Sequence, residues 1–387
     1  MTEFIERSVK LDSSLAPGKA LIMYGPRRAG KTTLLKSYLA SCGLRYRLET
    51  GDDVRIRHLL GSGDLKQIVA FAEGFDLVAI DEAQQIPGIG MGLKILVDHL
   101  PDLRIIATGS SSFDLTGAVG EPLTGRKQTL TLFPISQMEL KQKFNSYDLR
   151  QRLEEYLVYG SYPEIAVTEG RNEKIEMLEE LAGSYLLKDV LALERIRSSR
   201  TLVDLLKLIA FQVGSEVSLT ELAIQVKLDV KTVGRYLDIL EKGFVIVRVG
   251  GFSRNLRTEV TRKAKYYFLD NGVRNAVIGQ YNLLDSRNDV GALWENFVVA
   301  ERLKKRSYTG IYGTFHFWRT YDGQEIDYVE ERDGGLFGFE CKWSSKQRDT
   351  PPKKWRESYP GATFELVTPD NYLISQDEGI GGSTELT

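Results

Sequence analysis

"ALIMYGPRRAGKTTLLKSYLASCG", Ala20 to Gly43, decides how the rest of the chain is read. Ala20 to Tyr24 is a short unbroken apolar run, which suits a strand buried on both faces. Leu34, Leu35, Tyr38 and Leu39 then recur at helical spacing, and Gly43 supplies a stop. Between strand and helix lie Gly25, Pro26, Arg27, Arg28, Ala29, Gly30, Lys31, Thr32 and Thr33. Gly25 and Gly30 let backbone N–H groups turn inward around phosphates at a helix amino terminus. Lys31 is placed to reach the β- and γ-phosphates, and the Thr32 hydroxyl to ligate Mg2+. Gly25 to Thr33 is therefore the expected ATP-binding loop.

A second strand ends in chemistry at "FDLVAIDEAQQI", Phe75 to Ile86. Asp81 is expected to hold Mg2+ through water, and Glu82 to orient or deprotonate the attacking water. The acid pair favours hydrolysis over a kinase. "DLRIIATGSSS", Asp102 to Ser112, is a third buried strand whose end carries Thr108 and Ser110. Those hydroxyls either sense the γ-phosphate or cap the strand end; Ser110 joins the candidate ATP site. Strand, loop and helix alternate throughout, so an α/β unit with a parallel sheet and helices on both faces is expected.

The whole chain has 387 residues, 42% apolar and 27% charged, with a net charge of −2. That is material for several domains, and it excludes a disordered or uniformly basic chain. Cys42 and Cys341, like His58, His99 and His316, form no metal-ligand spacing. "MTEFIERSVK" carries acids where a secretion signal needs an apolar run, and no run approaches a membrane span. A cytoplasmic protein without membrane contact is expected.

"GPRRAGKTTLL", "IDEAQ", "ATGSSS" and "LTGRKQTLTLFPISQMEL" together resemble a group of AAA-type ATPases of bacteria and archaea. Members of that group carry two basic residues inside the phosphate loop, here Arg27 and Arg28, and an uncharacterised carboxy-terminal domain. The resemblance implies that Arg126 is a catalytic residue able to contact the γ-phosphate of a neighbouring subunit in a homo-oligomer; the alternative is a solvated loop arginine. It assigns residues 1–137 to the ATPase.

Residues 138–200 are amphipathic at helical spacing and read as a lid or connector. Residues 201–275 show three short helices and two apolar strands, the pattern of a winged helix-turn-helix. Ser218 with Glu221 forms a capping box, and Asp229 caps the helix from Val230 that would read DNA. Lys227, Lys231 and Arg235 recur every four residues, and six basic residues, Arg254 and Arg257 among them, lie between Arg248 and Lys265 against one acid, Glu259. Lys227, Lys231, Arg235, Arg254 and Arg257 are the expected DNA contacts. The alternative is a winged helix that only packs domains together.

Residues 285–372 end the ordered chain, with 373–387 a flexible tail. "ALWENFVVAERLKK" gives a helix bearing Glu295; "QEIDYVEERDGGLFGFECKW", Gln324 to Trp343, gives a hairpin bearing Asp327 and then Glu340 and Lys342. Glu, Asp and Glu-x-Lys in this order resemble the restriction-endonuclease-like PD-(D/E)xK nucleases. The resemblance implies that Glu295, Asp327 and Glu340 ligate Mg2+ while Lys342 orients the nucleophile. Ile326 stands where that pattern has Pro, and Glu325 is a spare acid. The alternative is a hairpin with surface ion pairs. The expected protein is an ATP- and Mg2+-dependent, DNA-directed enzyme whose ATP turnover moves the winged helix and gates the nuclease-like unit. Its rival is a nucleotide-switched scaffold that binds a protein partner.

Overall fold

The computed structural model describes residues 5–110, 123–186, 199–254, 263–344 and 349–375. Its first sheet contains β1 (Ala20–Tyr24), β2 (Tyr46–Thr50), β3 (Leu77–Asp81), β4 (Arg104–Thr108) and β5 (Lys127–Thr131), in the order β2-β3-β4-β1-β5. Every pairing in it is parallel. Alternation along the apolar strands divides their side chains between two cores. Ala20, Ile22, Val78 and Ile80 meet Leu93 and Leu96 of helix Ile89–His99 on one face. Leu21, Met23, Leu77 and Ala79 meet Leu35 and Leu39 of α1 (Lys31–Ser41) on the other. Hence the layered α/β unit with helices on both faces. The carboxyl ends of β3, β4 and β1 lie side by side, which brings Asp81, Thr108 and the glycine loop to one edge.

The second sheet has seven strands in the order β12-β11-β10-β9-β7-β8-β6. They are β6 (Glu216–Val217), β7 (Ile246–Gly251), β8 (Ala264–Phe268), β9 (Thr314–Arg319), β10 (Glu325–Arg332), β11 (Gly335–Cys341) and β12 (Thr363–Val367). Helices α2 (Ser199–Phe211), α3 (Leu219–Val226) and α4 (Val230–Lys242) precede the antiparallel pair β7 and β8, the strands of the expected wing. The wing is not a separate sheet, however. Gly250 and Gly251 of β7 pair in parallel with His316 and Phe317 of β9. One sheet therefore crosses the expected boundary between 201–275 and 285–372. A single apolar core also joins the connector, the three helices and the last unit, from Leu157 through Leu205 and Leu240 to Phe297 and Val367.

Helix α5 (Val290–Thr309) runs through that core. A one-sided stripe of Leu293, Phe297, Ala300 and Leu303 is the expectation, but the helix is buried nearly all round. Its charged residues are covered because they are paired. Arg302 makes a 2.8 Å ion pair with Glu330, and Lys304 pairs with Glu301 at 2.7 Å while donating to the Ile135 carbonyl at 3.1 Å. Among the described residues, no helix is long and apolar enough to cross a membrane.

Candidate functional site

The phosphate loop has the shape its glycines permit. Gly25 sits at φ 144°, and a Cβ there would lie 2.1 Å from the Leu132 carbonyl oxygen, so only glycine passes. Gly30 adopts φ 95° just before α1. Lys31 is buried, its Nζ donating to the carbonyls of Gly25 and Pro26 at 2.8 Å each. Thr32 Oγ1 donates to Asp81 Oδ2 at 2.8 Å, and the Thr108 hydroxyl donates to the other oxygen of Asp81. Glu82 leaves β3 in the left-handed region, φ 49°, and its carboxylate accepts from the Gln84 amide. Ammonium, hydroxyl and carboxylate thus converge where a helix begins, a donor set that fits Mg2+ and a triphosphate.

The other expected ATP-site residues divide. Ser110 is buried beyond the end of β4, whereas Thr33 is exposed on the first turn of α1. Arg28 points to the connector, pairing with Glu180 at 2.9 Å and Glu164 at 3.5 Å; Arg27 is half-buried. Arg126 lies at the opposite edge of the sheet, where its carbonyl accepts from Ala20 N–H at 3.0 Å and its guanidinium pairs with Asp98 at 2.6 Å. It stands at the wrong end of β1 to touch its own chain's nucleotide.

Arg7 is a residue sequence reasoning missed. Buried at 8% exposure, it donates to the Ala29 carbonyl inside the phosphate loop at 2.7 Å and to the Phe133 carbonyl at 2.6 Å. It also donates to Glu139 at 2.8 Å and to the Tyr308 hydroxyl near the end of α5 at 3.0 Å. Nothing in "EFIERSVK" distinguishes this arginine from a solvated one, because all its partners are distant in sequence.

The acids of the last unit do gather, but around an ammonium. Lys265 of β8, 2% exposed, places Nζ 2.5 Å from Glu325, 3.1 Å from Glu295 and 3.5 Å from Asp327. The Tyr267 hydroxyl donates to Glu295 at 2.6 Å and the Cys341 N–H to Asp327 at 2.9 Å. Lys342 pairs with Glu340 at 2.6 Å. Burial pushes Glu295 and Glu340 up to about 7, and the Asp327 charge adds to it. Burial alone would lower Lys265, but Glu295, Asp327 and Glu325 outweigh it and raise the ammonium. Among the described residues, no group of three or more His, Cys, Asp or Glu is arranged to hold a metal ion. Of the expected ligands, Glu295 and Asp327 thus face Lys265, while Glu340 faces Lys342.

Residues 17–141 match the AAA domain family. This segment is an AAA-type ATPase domain. Downstream of the ATPase domain, residues 150–283 match a domain of unknown function, DUF8612, and residues 290–378 a second, DUF4143. An uncharacterized protein of Mycobacterium tuberculosis is 26% identical over 343 residues, 88% of this chain and 74% of its own. Another, of Methanocaldococcus jannaschii, is 23% identical over 369 residues, 89% of this chain and 80% of its own. Among solved structures, a variant of Thermotoga maritima RuvB overlaps 60% of this chain and 82% of its own at 12% identity and a TM-score of 0.25. Drosophila ORC bound to AT-rich DNA and Cdc6 overlaps 68% and 86% at 9% identity and a TM-score of 0.24. Overlaps at those scores carry no weight beyond the ATPase domain's own motifs.

Beyond the ATPase domain, α4 presents Lys231 and Arg235 to solvent, and the Asp229 carboxylate caps it by accepting from Thr232 N–H at 2.8 Å. Lys227 departs from the expected helical row. It ends α3 in the left-handed region, φ 55°, so it lies in the turn before α4 and not on its face. Arg254 is exposed and pairs with Glu331 at 2.7 Å. Arg257 lies outside the described residues. Two apolar side chains close in sequence to Lys227 and Lys231 are exposed, Ile224 at 73% and Val230 at 43%.

Proposed function

We propose that this protein is an ATP-hydrolysing, DNA-directed machine in which nucleotide turnover changes how the carboxy-terminal half holds DNA. The observation that carries the reading is Arg7, one buried side chain bonded both to the phosphate loop at Ala29 and to α5 at Tyr308. A change in the loop on nucleotide binding is therefore felt directly by the helix on which the last unit is built. Lys31 would hold the phosphates, and Thr32 and Asp81 would hold Mg2+, which when bound neutralises phosphate charge. Glu82 would take the proton of the attacking water, beside the Thr108 and Ser110 strand end. Arg126 would meet the nucleotide of a neighbouring copy, the expected homo-oligomer. Lys231 and Arg235, with Lys227 and Arg254 at the margins, would contact DNA phosphates. We read the nuclease-like unit as holding DNA without cutting it, because its acids are committed to Lys265.

One observation favours the rival scaffold. Ile224 on α3 and Val230 at the start of α4 are exposed and apolar, which suits a protein partner better than phosphates. Duplex-DNA binding measured across salt concentrations separates the two. The DNA reading expects affinity that falls steeply with salt, a slope reduced by about 2 in Lys231→Glu/Arg235→Glu, and ATP turnover stimulated by DNA. A wild-type protein that neither binds duplex at low salt nor responds to it in ATP turnover would be the scaffold.

A further inference from the structure

We propose that Lys265 is the resident cation of the nuclease-like unit, seated where that scaffold's acids would otherwise meet a divalent ion. The inference stands on geometry alone and does not depend on DNA binding. Lys265 comes from β8 in the wing, yet its Nζ lies within 3.5 Å of carboxylates on α5 and β10. Its side chain is 2% exposed, so the ammonium is held by these acids and not by water. Around it the charge is nearly balanced. Glu295 and Asp327 face Lys265, Glu325 faces Lys265 and Arg319 at 3.4 Å, and Glu340 faces Lys342. A divalent ion entering this group would meet an ammonium already bonded to the same oxygens, and would be repelled by it at contact distance. Glu295, Glu325 and Asp327 then serve a different purpose. Through Lys265 they clamp β8 to α5 and β10, tying the three-helix unit to the last unit.

The same placement makes the site convertible. Lys265→Met keeps an unbranched side chain of similar length in the buried slot and removes only the charge, taking the shared ammonium from Glu295, Glu325 and Asp327 and leaving Glu325 with Arg319. Mn2+ binding to the nucleotide-free full chain, followed by the paramagnetic resonance of the free ion, reads this directly. Wild type is expected to show no Mn2+ binding that Asp327→Asn removes. Lys265→Met is expected to gain one Mn2+ per chain, and Lys265→Met/Asp327→Asn to lose it again. Wild-type Mn2+ binding abolished by Asp327→Asn would overturn the proposal, as would a folded Lys265→Met that gains no ion. Mn2+-dependent cleavage of duplex DNA by wild type, lost in Asp327→Asn, would overturn it too. Should Lys265→Met melt below the assay temperature, the wild-type and Asp327→Asn pair decides by itself. DNA affinity and ATP turnover, read separately, report on the function proposed above.

Discussion

Glu82 shows how much a single position in the ATPase domain is asked to do. Its left-handed backbone, φ 49°, is uncommon for a residue with a side chain, and it turns the carboxylate away from Asp81 toward Gln84. The two adjacent acids thereby take different partners, Asp81 held between Thr32 and Thr108 and Glu82 accepting from Gln84. Glu82→Gln keeps the shape and the Gln84 contact but removes the base. ATP turnover is expected to fall by about a hundredfold or more while nucleotide binding persists, checked by phosphate release beside binding of a fluorescent ATP analogue. Lys31→Ala should instead weaken binding itself, since Lys31 is the buried ammonium of the loop. These residues were legible in the sequence because their spacing is local: a loop of fixed length between one strand and one helix.

Helix α5 is the element on which the two halves meet. Its twenty residues span about 30 Å, with Glu295 near its start in the acid cluster and Tyr308 near its end beneath the phosphate loop. The Tyr308 oxygen accepts from both Arg7 and the Phe133 N–H, each at 3.0 Å. Tyr308→Phe leaves the Phe133 N–H without its acceptor and takes one of four from Arg7, a loss of about 1–3 kcal/mol in stability, measured by urea unfolding. If the bridge senses nucleotide, the ATP dissociation constant rises as well. An unchanged constant would assign Tyr308 to the fold alone. The helix itself was legible, as was Glu295 on it, but its all-round burial was not. Arg302 and Lys304 look like a solvated face until Glu330 and the Ile135 carbonyl are brought against them from elsewhere in the chain.

At the scale of the whole molecule, the acid cluster couples three stretches of chain and so leaves a mark on stability. Glu295 and Glu340 sit near 7 when folded, against about 4.3 for a free glutamate. Between those values the folded state binds protons that the unfolded chain has released, so stability falls as pH rises through this window. Urea midpoints are therefore expected to decrease from about pH 4.5 to about pH 7, and to do so less in Glu340→Gln. A midpoint that rises across that range would mean the carboxylates are fully compensated by their cations.

The sequence by itself determined the ATPase domain, its phosphate loop, the strand carrying Asp81 and Glu82, and the order of three helices followed by two apolar strands. Each rests on periodicity or on spacing within some thirty residues, where chain connectivity alone keeps the partners close. Only the tertiary structure decided what the chemistry-bearing residues of the last unit face. Glu295, Asp327, Glu340 and Lys342 were identified from order along the chain, but nothing local says that β8 delivers Lys265 among them. The same holds for Arg7 beneath the phosphate loop and for the pairing of β7 with β9 that merges wing and last unit into one sheet. Charge and hydrogen bonding act through space at a few ångströms, and sequence order does not record which distant segments come that near.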